Sequence, residues 1–267
     1  MTANPEEEAW TFVSSKRNRQ SKRRAPPVAG TISHASAPVR TTPNLPLEDI
    51  RTDYKKFSQQ WTDSKCCRKL KEVLQSKSCH PHPQKAICLG LGSFDPEDGS
   101  WQTRRRSHIQ LAAFATLVES LEKDPKEKMR CIFQEPCFTA SDIEFLKSLG
   151  YEVLDSPGGF EAVSEDSIVF GIHLYRDIYT AAIEKAIPTM FIGTGYDVWE
   201  SYADDTDQSW SKMKQLDGSC DKIKFPDDQD FYPTFTSTTI HWRKPKDDGL
   251  EDITKVVGSL TIGDRED

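Results

Sequence analysis

Lys85-Ala-Ile-Cys-Leu-Gly-Leu-Gly-Ser-Phe94 sets a short apolar run against two closely spaced glycines. A run of this length, Ala86 to Leu89, reads as a buried strand and is too short for a helix. Gly90 and Gly92 at its end let the backbone turn sharply and let a second group come close. In open α/β sheets, ligands sit beyond the carboxyl ends of the strands, so this turn is the first address for a site. The pattern is incomplete as a dinucleotide fingerprint, because Asp95 stands where a third glycine belongs, and no Gly-Lys-Ser/Thr follows to make a P-loop. A tight turn without a ligand accounts for the same residues equally well.

Strand and helix signals alternate downstream. Asp95 to Arg106 reads as a loop carrying Arg104, Arg105 and Arg106. These arginines suit either a phosphate or carboxylate clamp or a solvated helix start. Ser107 to Leu121 follows as an amphipathic helix with Ile109, Ala113, Leu117 and Leu121 on one face. Met129 to Gln134 is the second strand, ending at Glu135. Ser141, with Glu144 three residues on, reads as the cap of the next helix. Tyr151 to Leu154, Ser167 to Ile172 and Pro188 to Ile192 read as further strands. Leu174 to Ala186 is the intervening helix, and Phe235 to Trp242 reads as a last strand at the sheet edge. The alternation predicts a Rossmann-like α/β fold, a mostly parallel sheet with helices on both faces.

Parallel strands joined by right-handed crossovers bring their carboxyl ends to one edge. Gly92, Ser93, Glu135, Asp155, His173 and Gly193 are therefore expected to converge there; the candidate ligand-binding residues are these without Asp155, together with Gly90. His173 is the acid/base candidate, since histidine titrates near neutral pH. The competing reading makes it a hydrogen-bonded core residue. No catalytic set is legible, for no nucleophile stands beside a base.

The flanks differ in composition. Residues 1–44 lack apolar periodicity and are expected to be a disordered basic arm, with Lys16, Arg17, Arg19, Lys22, Arg23 and Arg24 as a cluster suited to nuclear import. Residues 45–245 form the expected domain, opening with a helical stretch, Leu45 to Gln75. Residues 203–224 read as an acidic loop or insertion, and 246–267 as an acidic tail. Cys79-His80-Pro81-His82 matches no common zinc spacing and reads as a linker, so no metal is assigned. A net charge of −7 disfavours nucleic acid as a partner, and no apolar run reaches membrane length. Seven irregularly spaced cysteines fit a reducing compartment, cytoplasmic or nuclear.

Taken in order, several segments resemble the SRR-like family, named for sensitivity to red light reduced. They are Trp10-Thr-Phe-Val13, Ile87 to Phe94, Ser107 with Gln110-Leu-Ala112, Glu135-Pro-Cys-Phe138 with Asp142, Leu149-Gly150, His173-Leu-Tyr175, Ile192-Gly193, and Phe235 with Ile240-His-Trp242. The similarity covers most of Leu47 to Trp242. Where the family often has Met-Pro-His-Cys-Pro, this chain has Gly171-Ile-His-Leu-Tyr175. Gly193-Thr-Gly195 stands in place of Gly-Asn-Ser, and Glu135 in place of a frequent Asp.

The resemblance implies an intracellular regulatory protein: clock input and light signalling in plants, haem-related regulation in animals, microtubule-related roles in fungi. It implies no particular reaction or cofactor. Two functions follow. The first is a non-enzymatic regulator that binds a protein partner. The second is an enzyme or sensor for a small molecule such as a nucleotide or S-adenosylmethionine. Glu135 lies 43 residues after Gly92, against about 20 for the acidic residue of a dinucleotide site.

Overall fold

The computed structural model describes residues 44–79, 81–122, 128–200 and 209–245, which belong to one compact unit. The basic arm and the acidic tail lie outside these residues, apart from Asn44. The sheet has seven strands: β1 Lys85–Leu89, β2 Arg130–Gln134, β3 Glu152–Val153, β4 Ser167–Gly171, β5 Met190–Thr194, β6 Cys220–Lys224 and β7 Thr238–Arg243. Their order is β3-β2-β1-β4-β5-β7-β6. Strands β1 to β5 run parallel, while β7 pairs antiparallel with both β5 and β6. The chain leaves β1 toward β2 on one side and returns to β4 on the other, so the order reverses at the β1/β4 boundary.

Ala86 to Leu89 of β1 are all apolar and buried because both faces of the sheet are covered. Ala86 and Cys88 enter one core with Phe133 and Phe170, while Ile87 and Leu89 enter the other with Val169 and Phe191. Helices α1 Leu47–Thr62, α2 Lys65–Gln75, α3 Trp101–Leu121 and α4 Ala140–Ser148 cover the first face. The Trp61 indole donates to Thr116 Oγ1 at 2.9 Å, a buried bond that satisfies the ring nitrogen where α1 meets α3. The second face carries α5 Gly158–Glu161, α6 Arg176–Ile183, α7 Tyr196–Glu200 and α8 Ser209–Ser219.

Four expectations need correction. Helix α3 begins at Trp101, inside the expected loop, because Ser100 caps it by accepting from the Thr103 amide at 3.2 Å. The cap of α4 is Thr139 with Asp142, a reciprocal capping box two residues before the pair expected. The stretch 203–224 is no loop from 209 onward: α8 and β6 occupy it, with Trp210, Met213, Leu216 and Cys220 buried at helical spacing among charged residues. Finally, β7 is internal. Strand β6 supplies the edge, alternating Asp221, Lys222 and Lys224 around half-buried Ile223, a charged edge that resists pairing with another chain.

Candidate functional site

Gly90 ends β1 with φ 68°, and a Cβ there would lie 2.5 Å from Leu174 Cδ2. Leu174 also sits over Gly171 and packs across the ends of β1 and β4. Gly90 is thus required by the fold itself, as well as by the left-handed backbone it adopts.

Gly92, at φ 80°, donates its amide to Glu135 Oε2 at 2.9 Å. Glu135 Oε1 accepts from the Cys137 amide, also at 2.9 Å. One carboxylate therefore ties the loop after β1 to the loop after β2. In a phosphate-binding turn, the amides of the glycine loop face the ligand's anion. Here the protein's own carboxylate occupies that role at Gly92.

Ser93 does not line a cleft, contrary to expectation. It is buried, donates to Asp142 Oδ2 at 2.6 Å and accepts from the Asp95 amide at 2.9 Å. Asp142 Oδ2 also accepts from the Thr139 amide at 2.8 Å. Ser93 thus fastens the glycine loop to the capping box of α4. Burial raises the Asp142 carboxyl above its usual range, against the opposing pull of Ser93 and Thr139.

His173 follows β4 in the left-handed region, φ 56°, and is exposed, so it is no core histidine. Its Nε2 lies 2.8 Å from the Thr236 carbonyl. A carbonyl only accepts, so Nε2 carries a hydrogen and donates. Gly193 lies within β5, paired with Gly171 and Thr239, and a Cβ there would run into the Phe191 ring and the Gly171 carbonyl. Close packing of backbones explains that glycine, and it does not reach the cleft.

The cleft itself spans about 410 Å³ at the carboxyl ends of β1, β2, β3 and β4. Gly90, Glu135, Asp155 and His173 line it, and Gly92 supports it from behind through Glu135. Its walls are mostly apolar: Leu89, Leu154, Phe160, Leu174 and Ile178 on one side, Phe138 and Ile143 on the other. Tyr175 stands at the rim, 84% exposed. The volume and character fit a ligand site at a topological switch point. Sequence reading missed the rim tyrosine and the wall from α5 and α6. Their only signal was an aromatic directly after His173-Leu174, at the start of an amphipathic helix.

The three arginines lie elsewhere. Arg104 pairs with Asp53 at 3.2 Å, while Arg105 donates to the Asp230 carbonyl at 2.7 Å and lies over the Phe231 ring. Cys137 lines the cleft and is exposed, but its thiol is raised by burial and by the neighbouring Glu135, which keeps it protonated and a poor nucleophile. Among the described residues, no group of three or more His, Cys, Asp or Glu is placed to hold a metal, and no helix is long and apolar enough to cross a membrane.

No curated protein and no solved structure matches the chain. The family model described as the SRR1 domain matches residues 67–242, from the first turn of α2 to the penultimate residue of β7. That span holds the whole sheet but for Arg243, and every residue that forms the cleft. The chain belongs to the SRR1 domain family.

Proposed function

We propose that this is a regulatory protein that acts by binding a protein partner at the strand-end cleft, with no reaction catalysed there. One observation carries the reading: an apolar cleft at the switch point of the sheet opens beside a tyrosine that is 84% exposed. Aromatic side chains at such rims are the usual anchors of protein contacts. The cleft's thiol, Cys137, bonds to Glu135, but burial and that carboxylate raise it and keep it protonated, a poor nucleophile.

The alternative occupant, a nucleotide or S-adenosylmethionine, is disfavoured by the bond from Gly92 to Glu135. That bond places a carboxylate where a phosphate or carboxylate of the ligand would seek amides.

The test is a photo-crosslinking residue placed at Tyr175 of the full chain in cells, with Lys55, exposed on α1, as control. Discrete protein adducts from position 175 and none from position 55 support the reading. Identical adducts from both positions, or none from 175, refute it. A concentration-dependent thermal shift with S-adenosylmethionine or a nucleotide would instead favour the small-molecule function.

A further inference from the structure

Among the described residues, the acidic side chains that line the strand-end cleft are Glu135 and Asp155, and no lysine or arginine lines it. Asp155 is exposed, and its carboxylate carries no partner among the described residues. Each oxygen of Glu135 accepts one amide and the Cys137 thiol bonds to the same carboxylate, whose negative charge still faces the cleft. His173 donates from Nε2 to the Thr236 carbonyl, which holds its ring at the mouth of the cleft. The cleft thus sets two carboxylates along an apolar wall, beside the neutral polar side chains of Gln134 and Ser156, and the charged occupant that fits it is a cation.

Tyr175 adds an exposed ring at the same mouth. A planar cation gains from the face of such a ring. Anions meet the opposite situation. The amides of Gly92 and Cys137, the natural anion holders of these two loops, are already spent on Glu135.

We infer that the cleft receives an arginine or lysine side chain of the partner, its methylene stem against Leu89, Leu154, Phe160 and Leu174 and its charged head between Glu135, Asp155 and the Tyr175 ring. This rests on the cleft being the partner's contact site. Long basic side chains suit such a place because their stems bury well while their heads stay polar. Arginine suits it better than lysine, since its guanidinium both stacks on a ring and forks onto a carboxylate.

The test uses the full chain, labelled with nitrogen-15, and three small probes of similar stem: n-butylguanidinium, pentan-1-ol and pentanoate. Amide shifts at Glu135, Asp155 and His173 should rank butylguanidinium first, pentanol second and pentanoate last. High salt should weaken only the first. Asp155→Asn should weaken butylguanidinium about two- to fivefold, the range of a solvent-exposed charge pair, and leave pentanol unchanged. Tyr175→Leu should do likewise. Both positions are exposed, so unchanged amide signals away from the cleft will show that the variants fold.

Pentanol or pentanoate binding as tightly as the cation overturns the inference, as does an unchanged butylguanidinium affinity in Asp155→Asn. Adducts at position 175 without any cation preference would leave the partner reading standing and this chemistry wrong. A cation preference with no adduct at position 175 would make the occupant a free small amine and overturn the partner side chain.

Discussion

Ser93 and His108 show how residue chemistry divides between structure and site. Ser93 sits in the glycine turn and looked like a ligand residue, yet its hydroxyl is spent on Asp142. Ser93→Ala removes a buried hydrogen bond to a charged group, worth about 1.5–3 kcal/mol. Urea unfolding should show that loss, while butylguanidinium binding to the cleft stays unchanged. A weakened ligand with undiminished stability would return Ser93 to the site.

His108 is the reverse case, a polar residue that the fold conceals. It is fully buried among the rings of Tyr54, Phe57, Phe94 and Phe145, and neither ring nitrogen has a hydrogen-bond partner. Burial and then nearby Arg104 push its pKa down to about 3. His108→Phe should therefore raise stability at neutral pH by about 1 kcal/mol or more, by removing an unsatisfied buried group. Lower stability, measured by urea unfolding, would mean that the imidazole makes a contact the ring cluster needs.

Elements were read correctly where a single physical signal dominated and misread where signals competed. The five parallel strands were legible because apolar runs between turns leave few alternatives. Helix α3 was shortened by its charged first turns: Arg104 to Arg106 oppose the helix dipole, but the Ser100 cap and the pairing of Arg104 with Asp53 offset that. Helix α8 was hidden because its large buried residues, Trp210, Met213 and Leu216, are few and stand among charged and small polar residues. Leu216 is fully buried in the second core with Tyr179 and Phe191. Leu216→Ala should cost about 2–5 kcal/mol by the usual cavity penalty. A loop at this position would lose almost nothing in a thermal or urea melt, so the two descriptions separate cleanly.

Glu135 acts at the same scale, as a clamp between two strand-end loops. Glu135→Ala frees the amides of Gly92 and Cys137, so hydrogen exchange at both should quicken, with a stability loss of about 1–2 kcal/mol softened by water access. Unchanged exchange at Gly92 would contradict the bond on which the exclusion of nucleotides rests.

At the scale of the whole molecule, the parallel sheet explains which strand ends meet better than any motif does. Strand ends far apart in sequence had to share an edge, and Gly90, Glu135, Asp155 and His173 do share a cleft there. The side-chain directions of Ser93 and the burial of Gly193 within β5 could not be read from spacing, since both depend on what packs behind the strand ends. Acid should weaken the whole fold. His108 and His241 both have folded pKa values lowered chiefly by burial, so the unfolded chain binds protons first as pH falls below 6.5. Stability is independent of them above that value and declines as pH falls, for His108 down to about pH 3, at a limiting slope of about 1.4 kcal/mol per pH unit for each group while it titrates. Asp142, raised by burial, works in the opposite sense and blunts the decline. Urea midpoints between pH 7 and pH 4 should fall, and should fall less steeply in His108→Phe. Equal slopes in the two proteins would show that His108 is not buried as a neutral ring.

Recognition of a basic side chain at the carboxyl edge of the sheet is the central claim, and one measurement meets it directly. It is mass-spectrometric sequencing of the partner peptide joined to a photo-crosslinker at position 175. The prediction is a single partner segment with an arginine or lysine within a residue or two of the crosslinked position, lost when Asp155 is replaced by arginine. Adducts scattered over many sequences, or centred on an acidic segment and indifferent to residue 155, would contradict it.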